Sequence, residues 1–510
     1  MRNLSTLAWR VYDAPTKPWH GVVADTEGDD SVYVMRVERR DSVSQLTLAH
    51  ITPTGTEELA VLEVASAASH VPDVADFRLL ADGGSSVNHT PAICVIGSGG
   101  DIVLMPVDEE AGAPAEVVGS VDQGILAAAW SPEEDVLVLI TGGEKRLIVM
   151  TREFEVVSET MLSTEAFGDD QPVNVGWGSK STQFHGSEGK QAAVAAANAP
   201  EENDPRGPLV PEDDGLPRIS WRGDGAFFVT SSAEASNDTV HRILRTYTRT
   251  GTLSATSDRS VRGISHVLAC RPTGNLIATT QRMGGPWAPG RHGRHDVVFF
   301  ERNGLRHGEF SLREEHGSVP DLPSVSAEPL PPWSCEHQIR LVSWNADGSV
   351  LAVLLQRAGQ HVLQLWTTGN YHWYLKHEST YEHLHAMTWH PEQPLTWYVS
   401  HARVERRTMC LETACSRGMP PHDAACASVV DGHLLYLTPF RLQNVPPPMC
   451  AVAIVDTPHH TVPHVPPATP VHVAWTTQSV EDQTTDMVAI LYPDASVHIW
   501  SVEYGHLGAA

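Results

Sequence analysis

The strongest constraint on the fold is a unit that recurs along the chain. Each copy has a short apolar run that ends in Trp, a turn rich in Asp, Glu, Gly or Asn, and a second apolar run. Ile125–Ile140, Pro217–Val229 and Ile339–Val353 are clear copies. The tryptophans at positions 130, 177 and 221 are 47 and 44 residues apart, and those at 344 and 389 are 45 apart. A period of about 40–45 residues with four short strands is typical of a β-propeller blade.

The apolar runs have the length and composition of β-strands. They are rich in β-branched and aromatic residues, and Gly, Asp and Asn turns separate them. No amphipathic stretch of helical period competes with them. Because each blade leaves one apolar face uncovered, its neighbours must bury that face around a ring. We therefore predict an all-β fold in which the Trp of each unit packs between adjacent blades.

The number of units predicts two domains. Seven units fit before residue 378, including weak ones at Ser31–Ile51 and Asp76–Val107 and one around Trp177. A strand near Leu4–Val11 is in a position to close the ring. Three further units follow, near residues 384–410, 428–455 and 470–503.

We therefore predict a seven-bladed WD40-type β-propeller over residues 1–378. Residues 379–510 are expected to form the start of a second, incomplete propeller of about three blades. Three blades cannot close a ring. The second domain is thus expected to be an open partial ring or a part of a longer protein.

Charge and cysteine content narrow the function. The chain has 35 Lys and Arg against 62 Asp and Glu, a net charge of −27. Such a surface as a whole repels phosphate and is not expected to bind nucleic acid or membranes. Seven scattered cysteines without a CxxC pair argue against a disulfide framework and a zinc site. With no apolar run of about 18 residues, we expect a cytoplasmic chain, with the nucleus as a second location.

Sequence motifs for catalysis are missing. Gly186–Gly189 is one residue too short for the GxSxG nucleophile elbow, and neither GxGxxG nor GxxxxGK[ST] occurs. The three histidines of the Pro-rich segment 457–470 have no nearby Cys or carboxylate to complete a metal site. We predict no enzyme activity, no cofactor and no metal.

Four stretches are more specific than general blade sequence: Val175–Ala193, Val297–Gly308, Leu363–Lys376 and Val445–Cys450. Together with Met1–Leu4 they resemble, in the same order, the N-terminal half of the largest Elongator subunit, the Elongator complex protein 1 family. The resemblance extends from residue 1 to at least residue 450.

The resemblance implies a function as well as a fold. Members of that family have two N-terminal WD40-type propellers, followed by a helical arm that dimerises. They scaffold the Elongator complex, which modifies the wobble uridine of certain tRNAs, while a radical-SAM and acetyltransferase subunit performs the catalysis. This chain would then be a non-catalytic scaffold for that subunit and a second WD40 subunit, with tRNA contacted indirectly. The family's dimerisation region is absent from the sequence.

Two other functions remain open. One is a stand-alone WD40 adaptor that is unrelated to tRNA modification. The other is a propeller enzyme, which would need carboxylates or histidines converging from several inner strands, where this sequence has apolar or small residues. The candidate residues for docking of partners lie in two of the family-like stretches: Phe184, His185, Ser187, Glu188, Asn370, Tyr371, His372 and Trp373.

Overall fold

The chain folds as a series of small antiparallel sheets in this computed structural model. The structure describes residues 2–502 with gaps, of which the longer ones are 82–90, 169–207, 283–294, 313–336, 443–452 and 457–467. Every regular element in the described part of the chain is a β-strand. The prediction of an all-β propeller fold is therefore confirmed.

The first three four-stranded sheets, or blades, are formed by residues 21–161. Blade 1 contains Gly21–Ala24 (β2), Val32–Arg40 (β3), Val43–Thr52 (β4) and Gly55–Ala65 (β5). Blade 2 contains Val74–Leu80 (β6), Ala92–Gly97 (β7), Asp101–Pro106 (β8) and Glu116–Ser120 (β9). Blade 3 contains Ile125–Trp130 (β10), Val136–Thr141 (β11), Arg146–Thr151 (β12) and Val156–Met161 (β13).

The next three blades follow the same order of strands, from the inner strand outward. Blade 4 contains Arg218–Trp221 (β14), Phe227–Ser236 (β15), Thr239–Thr248 (β16) and Leu253–Thr256 (β17). Blade 5 contains Ala269–Cys270 (β18), Ile277–Arg282 (β19), His295–Phe300 (β20) and Arg306–Ser311 (β21). Blade 6 contains Gln338–Trp344 (β22), Leu351–Arg357 (β23), Gln360–Gly369 (β24) and His372–Tyr381 (β25).

Blade 7 combines the two ends of this ring. Its inner strands are Ala386–Trp389 (β26), Thr396–Ser400 (β27) and Val404–Glu412 (β28), and its outer strand is Asn3–Tyr12 (β1), which pairs antiparallel with β28. The innermost strands of blades 1 to 6 lie side by side in order, and β26 contacts β2 of blade 1. On its other side, β26 reaches β22 of blade 6 through Trp389. The predicted closing strand near Leu4–Val11 is thus confirmed.

The tryptophans pack between blades, as predicted. The Trp221 indole nitrogen donates a hydrogen bond to the Ala129 carbonyl of the preceding blade at 3.1 Å. The Trp389 indole does the same to the Ser343 carbonyl at 3.4 Å. Trp130 packs in a core that joins blades 2 and 3, whereas Trp177 lies outside the described residues.

The turn that follows the Trp of the repeat, or Cys270 in blade 5, explains the glycines of the repeat. Gly225, Gly274 and Gly348 have φ angles of 64°, 83° and 69°. Side chains with a Cβ are strained in this left-handed region, whereas glycine adopts it freely. The turn therefore selects glycine in blades 4, 5 and 6.

The predicted boundary between residues 378 and 379 falls inside β25, and the unit after it belongs to blade 7. The sequence period locates each unit but does not show to which propeller the unit belongs. The unit after residue 378 belongs to the first propeller because β1, from the start of the chain, pairs with its strand β28. The boundary therefore moves to the residues after β28.

Two further sheets follow blade 7. One contains Ala414–Cys415 (β29), Cys426–Asp431 (β30), Leu434–Pro439 (β31) and Ala453–Asp456 (β32). The other has three strands, His472–Val480 (β33), Gln483–Leu491 (β34) and Val497–Val502 (β35). They correspond to the last two of the three units predicted for the second propeller. No helix in the described part of the chain has the length and apolarity to cross a membrane.

Closure by β1 predicts unequal effects of substitutions along that strand. Leu4 is 3% exposed and packs with residues of blades 6 and 7, whereas Leu7 is 68% exposed. Leu4→Ala should lower the free energy of unfolding by about 2–4 kcal/mol, since it leaves a cavity in a packed core. Leu7→Ala, the matched control, should change it by less than about 0.5 kcal/mol. Urea unfolding followed by tryptophan fluorescence measures both, and equal effects would contradict closure through Leu4.

Candidate functional site

The inner strands of the ring, where a propeller enzyme would place its site, have few polar groups. In the described structure the seven innermost strands contribute one carboxylate, Asp76 on β6, and no histidine. Burial raises the pKa of Asp76 to about 6, against the opposing effect of Arg78. A single carboxyl group without a second acid or base is not an acid–base pair. Their other charged side chains are Arg78, Arg218 and Arg340, and the remaining residues are mainly apolar or small, as expected from the sequence.

A dense group of buried charges lies instead in blades 4 and 5. Residues 208–216, which lead into β14, bring two carboxylates into the interior. The Arg282 guanidinium on β19 donates to a Glu212 carboxylate oxygen at 2.7 Å. The Arg242 guanidinium on β16 binds both oxygens of Asp213, with the Nε contact at 2.6 Å. Arg242 and Asp213 have fully buried side chains.

A third buried pair extends this network toward blade 3. Both terminal nitrogens of the Arg245 guanidinium, on β16, donate to the Glu234 carboxylate, and the distance from Nη2 to Oε2 is 2.9 Å. The same guanidinium donates to the main-chain carbonyls of Leu162 and Thr164 at 3.1 and 2.9 Å. Arg245 therefore holds the segment that follows β13 against blade 4.

Three histidines beside the network are buried and neutral at pH 7. Burial lowers the pKa of His266 and of His337 to about 4. His295 stacks on His337 with a ring separation of 5.3 Å, and burial lowers its pKa well below the usual value. Neutral rings suit this place, because two guanidinium groups already supply positive charge.

Asp213, Asp214 and His266 come close enough together to supply three metal ligands. However, the Asp213 oxygens already accept hydrogen bonds from Arg242, and Asp214 is paired with Arg218. A divalent cation would have to displace two guanidinium groups. The geometry is that of an ion-pair network, which can anchor residues 208–216 and does not offer an open coordination position.

A second polar group connects the ring to the sheet that follows it. The Asn3 side chain on β1 donates to the Ser428 carbonyl at 3.0 Å and accepts from the Val430 main-chain N–H at 2.9 Å. The Lys376 ammonium on β25 donates to the Val430 carbonyl at 2.8 Å and to the Asn3 side-chain oxygen at 3.3 Å. These contacts join β1, β25 and β30 at one point.

Asp431 completes this junction from the side of β30. Its carboxylate accepts a hydrogen bond from the Leu375 N–H at 3.0 Å and lies 3.0 Å from the His372 Nε2. Burial lowers the pKa of Lys376 to about 7, and the Asp431 charge opposes this shift. The junction is buried and polar, so it fixes the geometry of the hydrogen bonds more strictly than an apolar contact would.

The structure separates the candidate docking residues of the second stretch. Asn370 and Tyr371 form the tip of the β24–β25 hairpin, with φ angles of 51° and 61°, and the Tyr371 side chain is fully exposed. His372 is held by Asp431, and Trp373 stacks on Phe310 at 4.6 Å. Tyr371 is therefore accessible to a partner, whereas the ring of Trp373 is mainly used in packing.

The first stretch of candidates, Phe184, His185, Ser187 and Glu188, lies outside the described residues. Those candidates stay predictions.

A small cleft lies beside the junction of the ring and the following sheets. Its volume is about 240 Å³, and its polar side chains include Ser5, Glu412, Arg417 and His472. Ser5 and His472 already share a contact of 3.2 Å. The cleft mixes both signs of charge, which does not select a particular ligand.

Sequence reasoning did not identify either polar group. The sequence does contain the residues of the ion-pair network. Glu212, Asp213 and Asp214 stand just before a strand, and arginines follow on two later strands. Glutamates and aspartates before a strand usually indicate a solvated loop, so only the fold shows that they are buried. Asn3 carried no signal at all, because its partners are more than 370 residues away in sequence.

Comparison with protein families and known proteins gives consistent results. Residues 1–392 match the family described as "ELP1 first N-terminal beta-propeller", and residues 429–504 match "ELP1 N-terminal second beta-propeller".

Among relatives, the chain is 36% identical to Elongator complex protein 1 of Schizosaccharomyces pombe over 364 residues, which is 70% of this chain and 26% of that protein. It is 36% identical to the Mus musculus protein of the same name, over 71% of this chain and 25% of that protein. The Saccharomyces cerevisiae protein is 34% identical, over 69% and 26%. The chain thus aligns with about a quarter of the length of these relatives.

The buried network predicts a large cost for breaking one of its pairs. Arg242→Met leaves the Asp213 charge buried without its cationic partner and should lower the free energy of unfolding by about 3–5 kcal/mol. The double variant Arg242→Met with Asp213→Leu should recover a large part of this loss, since no charge then remains unpaired. Arg146→Met removes exposed pairs with Glu144 and Glu159 and should leave the urea midpoint unchanged. A double variant no more stable than the single one would contradict this explanation.

The buried histidines predict a loss of stability in acid. Unfolded histidine takes up a proton near pH 6.5, whereas folded His337 and His266 do so only near pH 4, and His377 near pH 3. The unfolded state therefore binds more protons in this window, so stability present above pH 6.5 is lost as the pH falls toward 4. Urea midpoints between pH 7.5 and about 4.5 should fall less steeply for His337→Gln than for the exposed control His70→Gln. Equal slopes would contradict a neutral buried His337.

Proposed function

The chain belongs to the Elongator complex protein 1 family, and from this premise we propose that it is a non-catalytic scaffold of an Elongator complex. In this role it organises the other subunits for modification of the tRNA wobble uridine. The observation that carries the proposal is the match of residues 1–392 to the first propeller of that family.

The distribution of polar groups supports a scaffold over an enzyme. The inner strands of the described ring offer the single carboxylate of Asp76. The buried charges of blades 4 and 5 are paired with each other and hold residues 208–216 in place. Both features leave the outer surfaces of the blades as the places where other proteins can bind.

We propose that the chain acts in the cytoplasm and also in the nucleus. Its partners in this proposal are the radical-SAM and acetyltransferase subunit and a second WD40 subunit, and it contacts tRNA indirectly. The hairpin tip at Asn370 and Tyr371 is one proposed contact, because Tyr371 projects fully into solvent next to a rigidly held β25.

Co-purification tests this function. The tagged chain, expressed in a eukaryotic cell, should recover the radical-SAM subunit and the second WD40 subunit. Tyr371→Ala should reduce recovery, while Tyr371→Phe, which keeps the ring, should restore it. Recovery of neither subunit by the wild-type chain would overturn the proposal, and recovery of unrelated partners alone would favour a stand-alone adaptor.

A further inference from the structure

The outer strands of the ring are not equivalent. Blades 1, 2 and 3 each expose aliphatic side chains there: Val61 on β5, Val117 on β9, and Val156, Val157 and Met161 on β13, all between 48% and 59% exposed. In the described structure no large apolar side chain is exposed to this degree on β17, β21 or β25 of blades 4, 5 and 6, where only the hairpin residue Tyr371 is exposed just before β25. On blade 7 the outer strand β1 exposes Leu7 and Trp9 as well. The exposed apolar side chains thus lie on consecutive blades, 7 and 1 to 3.

The same three strands are acidic. β5, β9 and β13 contain no Lys or Arg, and their exposed glutamates are Glu57, Glu58, Glu63, Glu116 and Glu159. Glu159 is paired with Arg146 of the neighbouring strand, at 2.8 Å. The other four form no ion pair within the described residues. In contrast, β1 and β21 each carry a cationic side chain, Arg10 and Arg306.

Among the described strands, these three also have one edge without a paired strand. β5, β9 and β13 are each the last strand of their sheet. Natural proteins often place charged residues on an edge strand, because the charges prevent other chains from pairing with it. The exposed valines on these strands have the opposite effect, since they favour contact with another apolar surface.

We propose that the outer strands β5, β9 and β13, here called the acidic rim, form a docking surface for a basic segment of a partner protein. The segment alternates Lys or Arg with aliphatic residues and adds to a free edge as an extended strand. Its cations pair with the unpaired glutamates, and its aliphatic side chains cover the exposed valines. Anionic partners such as nucleic acid or an acidic membrane are repelled by the same glutamates.

Binding of a basic segment to the acidic rim is independent of the proposed function and can be measured on this chain without any other subunit. The probe is a short labelled peptide of alternating Leu and Lys, and fluorescence anisotropy at about 0.15 M salt gives its dissociation constant for the full chain. A Leu and Glu peptide of the same length should not bind.

Charge reversal separates the acidic rim from the net charge of the chain. The variant Glu58→Lys, Glu63→Lys, Glu116→Lys should weaken binding by about tenfold or more. The control, Glu309→Lys, Glu382→Lys, Glu392→Lys, makes the same change in net charge at exposed glutamates of blades 5 to 7 and should bind like the wild type. A Gln version of the rim triple gives the same comparison without new positive charge.

The apolar part is tested independently. Val117→Thr with Val157→Thr keeps the shape of both side chains and should weaken binding about threefold. Val240→Thr, at an exposed valine of blade 4, should have no effect. Equal losses from the rim and control triples, or no binding by the wild type, would overturn the proposal.

Discussion

The structure depends on one pairing, that of β1 with β28. Every blade of the ring buries an apolar face against its neighbours, so an open ring would expose two such faces at once. The antiparallel register from Asn3–Glu412 to Tyr12–Val404 closes the ring within a single sheet. The cores between blades 6 and 7 and between blades 7 and 1 both include residues of β1, Leu4 in the first and Tyr12 in the second. This strand thus contributes to two interfaces.

The ring is built differently on its two sides. Between blades 1 and 3 the interfaces are apolar cores, and the outer strands expose valine and glutamate. Blades 4 and 5 instead contain paired arginines and carboxylates at buried positions. A buried ion pair adds little to stability, but it allows few alternative arrangements of the groups involved. The network therefore fixes the path of residues 208–216.

Most of the fold was predictable from the sequence, because each Trp-marked unit can be recognised from residues that are close together in the chain. Apolar runs, a turn with glycine and a fixed period are all local features, and they identified the blades around Trp130, Trp221 and Trp344. The domain boundary could not be predicted from local features, since it depends on which strand pairs with β1. The site residues were the hardest to predict. Trp373 and Tyr371 are two residues apart in the same hairpin, yet one packs on Phe310 and the other faces solvent.

The contacts of Asn3 have a consequence for how the chain is made. Its side chain bonds to Ser428, which is 425 residues later in the sequence. During synthesis at the ribosome, the first strand must therefore wait until nearly the whole chain described here has emerged. Contacts of such long sequence separation form late and slowly, and until then Leu4 and Tyr12 of β1, which the closed ring buries, remain available to chaperones or to other chains. Closure of the ring is thus timed by the synthesis of β28 and β30 and by the delay before β1 can pair.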